Sequence, residues 1–143
     1  MGQPASSFKD KYRFESYILN AVLGGGMTSR LYQKVREKRG LAYTVYSYLH
    51  SFTYSGLWMV YAVASPQNVK KVMDLIYKEL ENLYKKGLSQ RELNFFKRQV
   101  KGQILLGADD IENRMNSLGV NEMIFGSYRP VEQVIKEIEA VSK

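Results

Sequence analysis

Leu23–Tyr46, LGGGMTSRLYQKVREKRGLAYTVY, holds most of the side chains in this sequence that could do chemistry. Three consecutive glycines (Gly24, Gly25, Gly26) precede Thr28 and Ser29. Five cations follow (Arg30, Lys34, Arg36, Lys38, Arg39), with tyrosines on either side of Gly40. Backbone amides opened by glycine, beside hydroxyls and cations, can cradle a phosphate. Neither phosphate motif is completed, however. A P-loop places lysine ahead of its hydroxyl, whereas here Arg30 follows Ser29. The dinucleotide turn needs a third glycine where Ser29 stands, and a strand ahead of it. A junction between two helices accounts for the glycines with less. The cations could also track a nucleic-acid backbone and the tyrosines could stack bases. No nucleic-acid module surrounds them, so a nucleic-acid partner is not expected.

Other chemistries fail on inventory. A catalytic zinc takes about three nitrogen, oxygen or sulfur ligands. This chain has no cysteine and one histidine, His50. A Ser-His-Asp arrangement would have to use His50 as its base, and no G-x-S-x-G turn is present. Asp109 and Asp110 are adjacent where a helix should start, which capping explains better than a catalytic pair. On its own residues, the chain holds no complete catalytic apparatus and no metal site.

The elements that must position these groups can be read from spacing. At 143 residues and 45% hydrophobic content, the chain is sized for one domain with a core. The net charge is +7, and residues 1–50 carry eight Lys and Arg against three Asp and Glu. An anionic partner should therefore be sought near the opening motif. No apolar run approaches the ~20 residues of a membrane span. The start, MGQPASSFKDKY, lacks the apolar centre of a secretory signal, so a cytoplasmic location is the expectation.

Phe14, Tyr17, Ile18, Ala21 and Val22 predict a helix over 12–23, ended by the glycines through positive φ. Thr28 or Ser29 caps a short second helix with Leu31, Tyr32 and Val35 on its apolar face, stopped by Gly40. Two strands, about 41–50 and 55–64, form a hairpin. Alternation sets Ala42, Thr44, Tyr46 and Tyr48 against Tyr43, Val45 and Ser47, and neither face is charged, so both should be at least partly covered. The rest is helical. Pro66 opens a stripe through Val69, Val72, Met73, Ile76, Leu80 and Leu83, which Gly87 closes. Ser89 with Glu92 starts a helix burying Leu93, Phe96, Val100 and Ile104. Asp109 with Glu112 starts another, with Ile111, Met115 and Leu118 as its apolar face and Gly126 at its end. Pro130 opens the last. This is an α+β chain. Two strands are too few, because a lone hairpin is marginal and leaves open edges.

The string LGGG-M-x-SRL…REKRGLAY…S closely resembles the most distinctive segment of the non-zinc-binding domains in the pitrilysin and mitochondrial processing peptidase family of zinc metallopeptidases. The likeness continues through GLWMVY, PQNV…IYKEL and GLSQRELNFFK, and covers nearly all of residues 11–140. It implies helices packed on one face of a mostly antiparallel sheet, the whole of 1–143 being a single partial domain. Family domains carry a further strand before the first helix and another after the last, so the resemblance implies a domain cut at both ends.

The resemblance also implies a role. Such domains form one wall of a chamber that cleaves extended peptides. The zinc is held in the other, N-terminal half by an H-x-x-E-H motif absent here. Zinc is then a cofactor of the full enzyme, and this chain by itself is expected to be inactive. The family's substrate-contacting Arg and Tyr match Arg36 and Tyr43, with Gly24, Gly25, Gly26, Ser29, Arg30 and Gly40 as structural positions. The alternatives are a surface ion pair for Arg36 with Tyr43 packed in the sheet, and, for the whole chain, a non-catalytic scaffold or peptide-binding subunit. The expected partners are the zinc-binding half, a peptide substrate and, through open strand edges, further copies of the chain.

Overall fold

The structure is a computed structural model that describes residues 1–142. They form two compact units, Met1–Ser89 and the residues from Gln90 onward.

The first unit is built on an antiparallel sheet of three strands in the order β1 (Gly2–Pro4), β3 (Gly56–Val63), β2 (Thr44–Ser51). Strands β2 and β3 are the expected hairpin, in a register that pairs Val45 with Ala62, Ser47 with Val60 and Leu49 with Trp58. These pairs face the helices, and Val45, Ser47 and Val60 are buried. Helix α1 (Arg13–Gly24) covers that face because Phe14, Ile18, Ala21 and Val22 recur at helical spacing, and all four are buried. Next comes a π-helix, Tyr32–Glu37, and after the hairpin helix α2 (Val69–Lys86). Leu23, Leu31, Val35, Val45, Val60 and Ile76 make the core where these elements meet. Each such side chain contributes about 1.5–3 kcal/mol by leaving water.

A polar clamp ties α1 to the sheet. Asn20 Oδ1 accepts from Ser47 Oγ at 2.8 Å and from Trp58 Nε1 at 2.9 Å, while Ser47 Oγ also lies 3.1 Å from the Asn20 carbonyl. This satisfies a hydroxyl and an indole N–H that would otherwise be buried at a cost. Gly24 completes the approach: a Cβ there would lie 2.1 Å from Ser47 N.

The structure corrects several expectations. The sheet has a third strand, β1, pairing Gly2 with Met59 and Pro4 with Leu57. A three-residue strand containing glycine and proline carries no strand signal of its own. The hairpin strands are shorter than expected, so Tyr43 precedes β2 instead of alternating inward, and it is 82% exposed. Among the described residues, no helix of the first unit lies on the sheet face opposite α1, where side chains cover one another only in part. Tyr46, Tyr48 and Tyr61 are half exposed there, with the Tyr46 and Tyr61 ring centroids 5.1 Å apart. Gly24 and Gly25 are needed for space and not for handedness, since a Cβ would lie 2.1 Å from Ser47 N and 2.6 Å from Ala21 Cα respectively. Gly25 has φ −80°, and the positive-φ glycines are Gly40, Gly87 and Gly126, each ending a helix. On α2 the buried face runs Val72, Ile76, Glu79, with Val69 and Met73 exposed, so an acid occupies a position expected to be outside.

The second unit comprises α3 (Gln90–Ala108), α4 (Ile111–Phe125) and α5 (Val131–Ala140). Leu93, Phe96 and Val100 of α3 are buried, as are Ile138 and Val141 at the end of α5. Lys97 Nζ donates to the carbonyls of Glu139 and Val141, and Lys101 Nζ pairs with Glu139 Oε1 at 2.5 Å. That lysine holds the exposed Glu139 carboxyl below the usual carboxylate range. The cap of α4 is Asp110 and not Asp109: its carboxylate accepts from Asn113 N at 2.8 Å. Ile111, Met115 and Leu118 are exposed, contrary to the stripe expected from their spacing.

Candidate functional site

The site begins where the chain leaves α1. Gly24 sits against the backbone of Tyr46 and Ser47, so the chain passes the sheet without a side chain. Ser29, fully buried, turns its hydroxyl back to the Gly26 carbonyl at 2.5 Å, closing the loop instead of capping the next helix. Arg30, half-buried, opens that helix, which widens at Tyr32 into the π form. The wider turn is visible in its i→i+5 bond, Lys38 N to the Gln33 carbonyl at 3.0 Å. Gly40, at φ 58°, then lets the chain reverse toward Tyr43 and β2.

This path brings the two sequence-predicted residues together. The Arg36 guanidinium lies 6.0 Å from the centre of the Tyr43 ring and 5.0 Å from that of Tyr32. Tyr32 was expected only on an apolar helix face, and its place under Arg36 was missed. The signal was its spacing, i to i+4 from Arg36, which puts both on one side of a helical turn. Arg36 is exposed and forms no ion pair among the described residues, and Tyr43 is not packed in the sheet. The plain structural alternatives for both are therefore not what the fold shows. The exposed guanidinium beside these rings has N–H donors for an acceptor, and the Tyr43 hydroxyl is a second donor.

Beside this cluster, a cleft of about 400 Å³ opens between Gly24–Gly26, Met27 and Tyr32 on one side and Thr44–Ser47 on the other. Tyr32 lines it, and Tyr43 adjoins Thr44 at its border, so the cationic turn stands beside the cleft. Its lining includes three glycines and two tyrosines and no carboxylate, histidine or lysine. No group of three His, Cys, Asp or Glu side chains that could hold a metal occurs among the described residues. The residues present do not fit a zinc site. No helix among the described residues is long and apolar enough to cross a membrane.

The first unit thus combines a three-stranded antiparallel sheet backed by helices with an exposed guanidinium–phenol cluster, and the described residues hold no group of three metal-ligating side chains. Residues 1–100 match the family described as the peptidase M16 inactive domain, and the chain belongs to that family. It is 39% identical over 142 residues to an uncharacterized zinc protease of Streptomyces coelicolor, covering 99% of this chain and 31% of that protein. Among solved structures it resembles a peptidase M16 inactive domain from Pseudomonas fluorescens, with TM-score 0.79 and 25% identity over 99% of this chain and 33% of that one. A protease from Helicobacter pylori shares the fold, with TM-score 0.86 at 19% identity over 99% of this chain and 34% of that one. The chain thus spans about a third of the length of the relatives it matches.

Proposed function

We propose that this chain is the non-zinc-binding wall of a zinc endopeptidase, part of a larger domain that faces a metal-bearing half across a peptide chamber. The observation carrying the reading is the Arg36–Tyr43 cluster, exposed beside the glycine-lined cleft. Arg36 and Tyr43 donate hydrogen bonds to a carbonyl of an extended peptide and orient it, and both strengthen as negative charge grows on that oxygen. Zinc belongs to the other half, and this chain alone does not turn over peptide.

The test is reconstitution with a domain carrying H-x-x-E-H, assayed on an unstructured peptide. Arg36→Ala and Tyr43→Phe each remove one donor to a charged or charging acceptor, worth roughly 1.5–3 kcal/mol, so kcat/KM should fall about tenfold to a hundredfold. Zinc-dependent turnover by the isolated chain would overturn the reading, and unchanged turnover in both variants would move it to a non-catalytic scaffold.

We also propose self-association along β2, whose outer edge has no strand partner among the described residues. Sedimentation velocity should show a concentration-dependent dimer. A monomer at every concentration would remove that idea.

A further inference from the structure

The segment that carries Arg36 has an unfavourable backbone form for its sequence. Tyr32–Glu37 reads YQKVRE, and Gln, Lys, Arg and Glu all favour the ordinary α-helix. A six-residue π-helix is rare and needs outside contacts to persist. Val35, fully buried, is one. Hydrogen bonds from Gln33 to the Met27 carbonyl and from Arg39 to the Lys34 carbonyl add to it, and one contact with another helix is charged: Lys34 Nζ, inside the π-helix, meets Glu79 Oε1 of α2 at 2.6 Å.

That pair is hard to explain as a stabiliser. Glu79 is 3% exposed and lies on the stripe that buries Val72 and Ile76. Its Oε2 is buried with no hydrogen-bond partner among the described residues, while Oε1 takes Lys34 and, at 3.4 Å, Asn82 Nδ2. Taking a carboxylate out of water and leaving one oxygen unsatisfied is costly, and an apolar residue of similar size would hold α2 as well or better. What an apolar residue could not do is fix where Lys34 points. Because Lys34, Val35 and Arg36 are consecutive, pinning Lys34 to α2 while Val35 enters the core sets the rotation of the turn. That rotation decides where Arg36 emerges.

We propose that Glu79 is a positioning residue: through Lys34 it holds Tyr32–Glu37 in its π form and thereby places Arg36 beside the rings of Tyr32 and Tyr43. Its relevance to peptide contact rests on the functional reading above, but the geometry can be tested without turnover. In the isotope-labelled 143-residue chain, proton–proton contacts from the Arg36 side chain to the Tyr32 and Tyr43 rings report the placement by nuclear magnetic resonance. These contacts should be present in the parent chain and lost in Glu79→Gln. They should also be lost in the double variant Lys34→Met/Glu79→Leu, in which the pair is replaced by apolar bulk that keeps α2 packed. Lys34→Arg, which retains the charge, should preserve them. Contacts that persist in either uncharged variant, or that vanish in Lys34→Arg, would overturn the proposal. If Glu79→Gln does not fold, the double variant decides alone. Arg36→Ala in the reconstituted peptidase examines the functional reading separately, so the two can fail independently.

Discussion

Gly24→Ala should destabilise the chain by about 3 kcal/mol, at the upper end of the cost of forcing an extra methyl into a packed site. The added Cβ would meet Ser47 N at 2.1 Å, Ser47 Oγ at 2.8 Å and Tyr46 C at 2.8 Å. Two of these are backbone atoms of a strand and cannot rotate away. Relief requires α1 to lift, which pulls Asn20 off Ser47 and Trp58. Gly40→Ala is the matched control. Nothing lies within 4 Å of its Cβ, but its φ of 58° is left-handed, so the cost should be about 1 kcal/mol. Thermal unfolding measures both, with a fall of roughly 10 °C expected for Gly24→Ala. Equal costs at the two positions would show that α1 does not approach β2 this closely.

The second large effect is asymmetric. Lys34→Met should cost about 3 kcal/mol, because it strands the buried Glu79 carboxylate without its cation. Glu79→Gln should cost only about 1 kcal/mol, since the Lys34 side chain is 40% exposed and its ammonium can turn into water. Urea titration of the two single variants reads the difference. A Glu79→Gln variant weaker than Lys34→Met would mean that the lysine, and not the acid, is the group that suffers when alone.

Much of this architecture was legible because local and tertiary preferences agree. Helix α1 follows from the spacing of Phe14, Ile18, Ala21 and Val22, and the hairpin from its run of aromatic and β-branched residues. Gly40, Gly87 and Gly126 mark helix ends in the sequence and take positive φ in the fold. The site was only half legible. Arg36 and Tyr43 came from likeness to a family, and nothing in their spacing shows that a guanidinium will lie on a phenol. The π-helix is invisible to propensity because its residues are good α-formers, and the contact that holds it comes from Glu79, 45 residues away. Asp110 caps α4 although Asp109 is as good a candidate, a choice of one residue that only the exit from α3 makes. Strand β1 escaped because Gly2–Pro4 owes its conformation to pairing with β3. The passage of that segment also needs Gly56, where a Cβ would meet the Ser6 carbonyl oxygen at 2.3 Å.

The bond from Trp58 to Asn20 gives the molecule a selective emitter. Trp58 is the one tryptophan in the sequence, and its indole N–H is engaged by α1. Light absorbed near 295 nm is therefore re-emitted from the sheet-bearing unit alone, whereas the helical far-ultraviolet signal sums both units. Melting curves recorded by the two signals coincide if the units lose structure together and separate if the three-helix unit does so on its own.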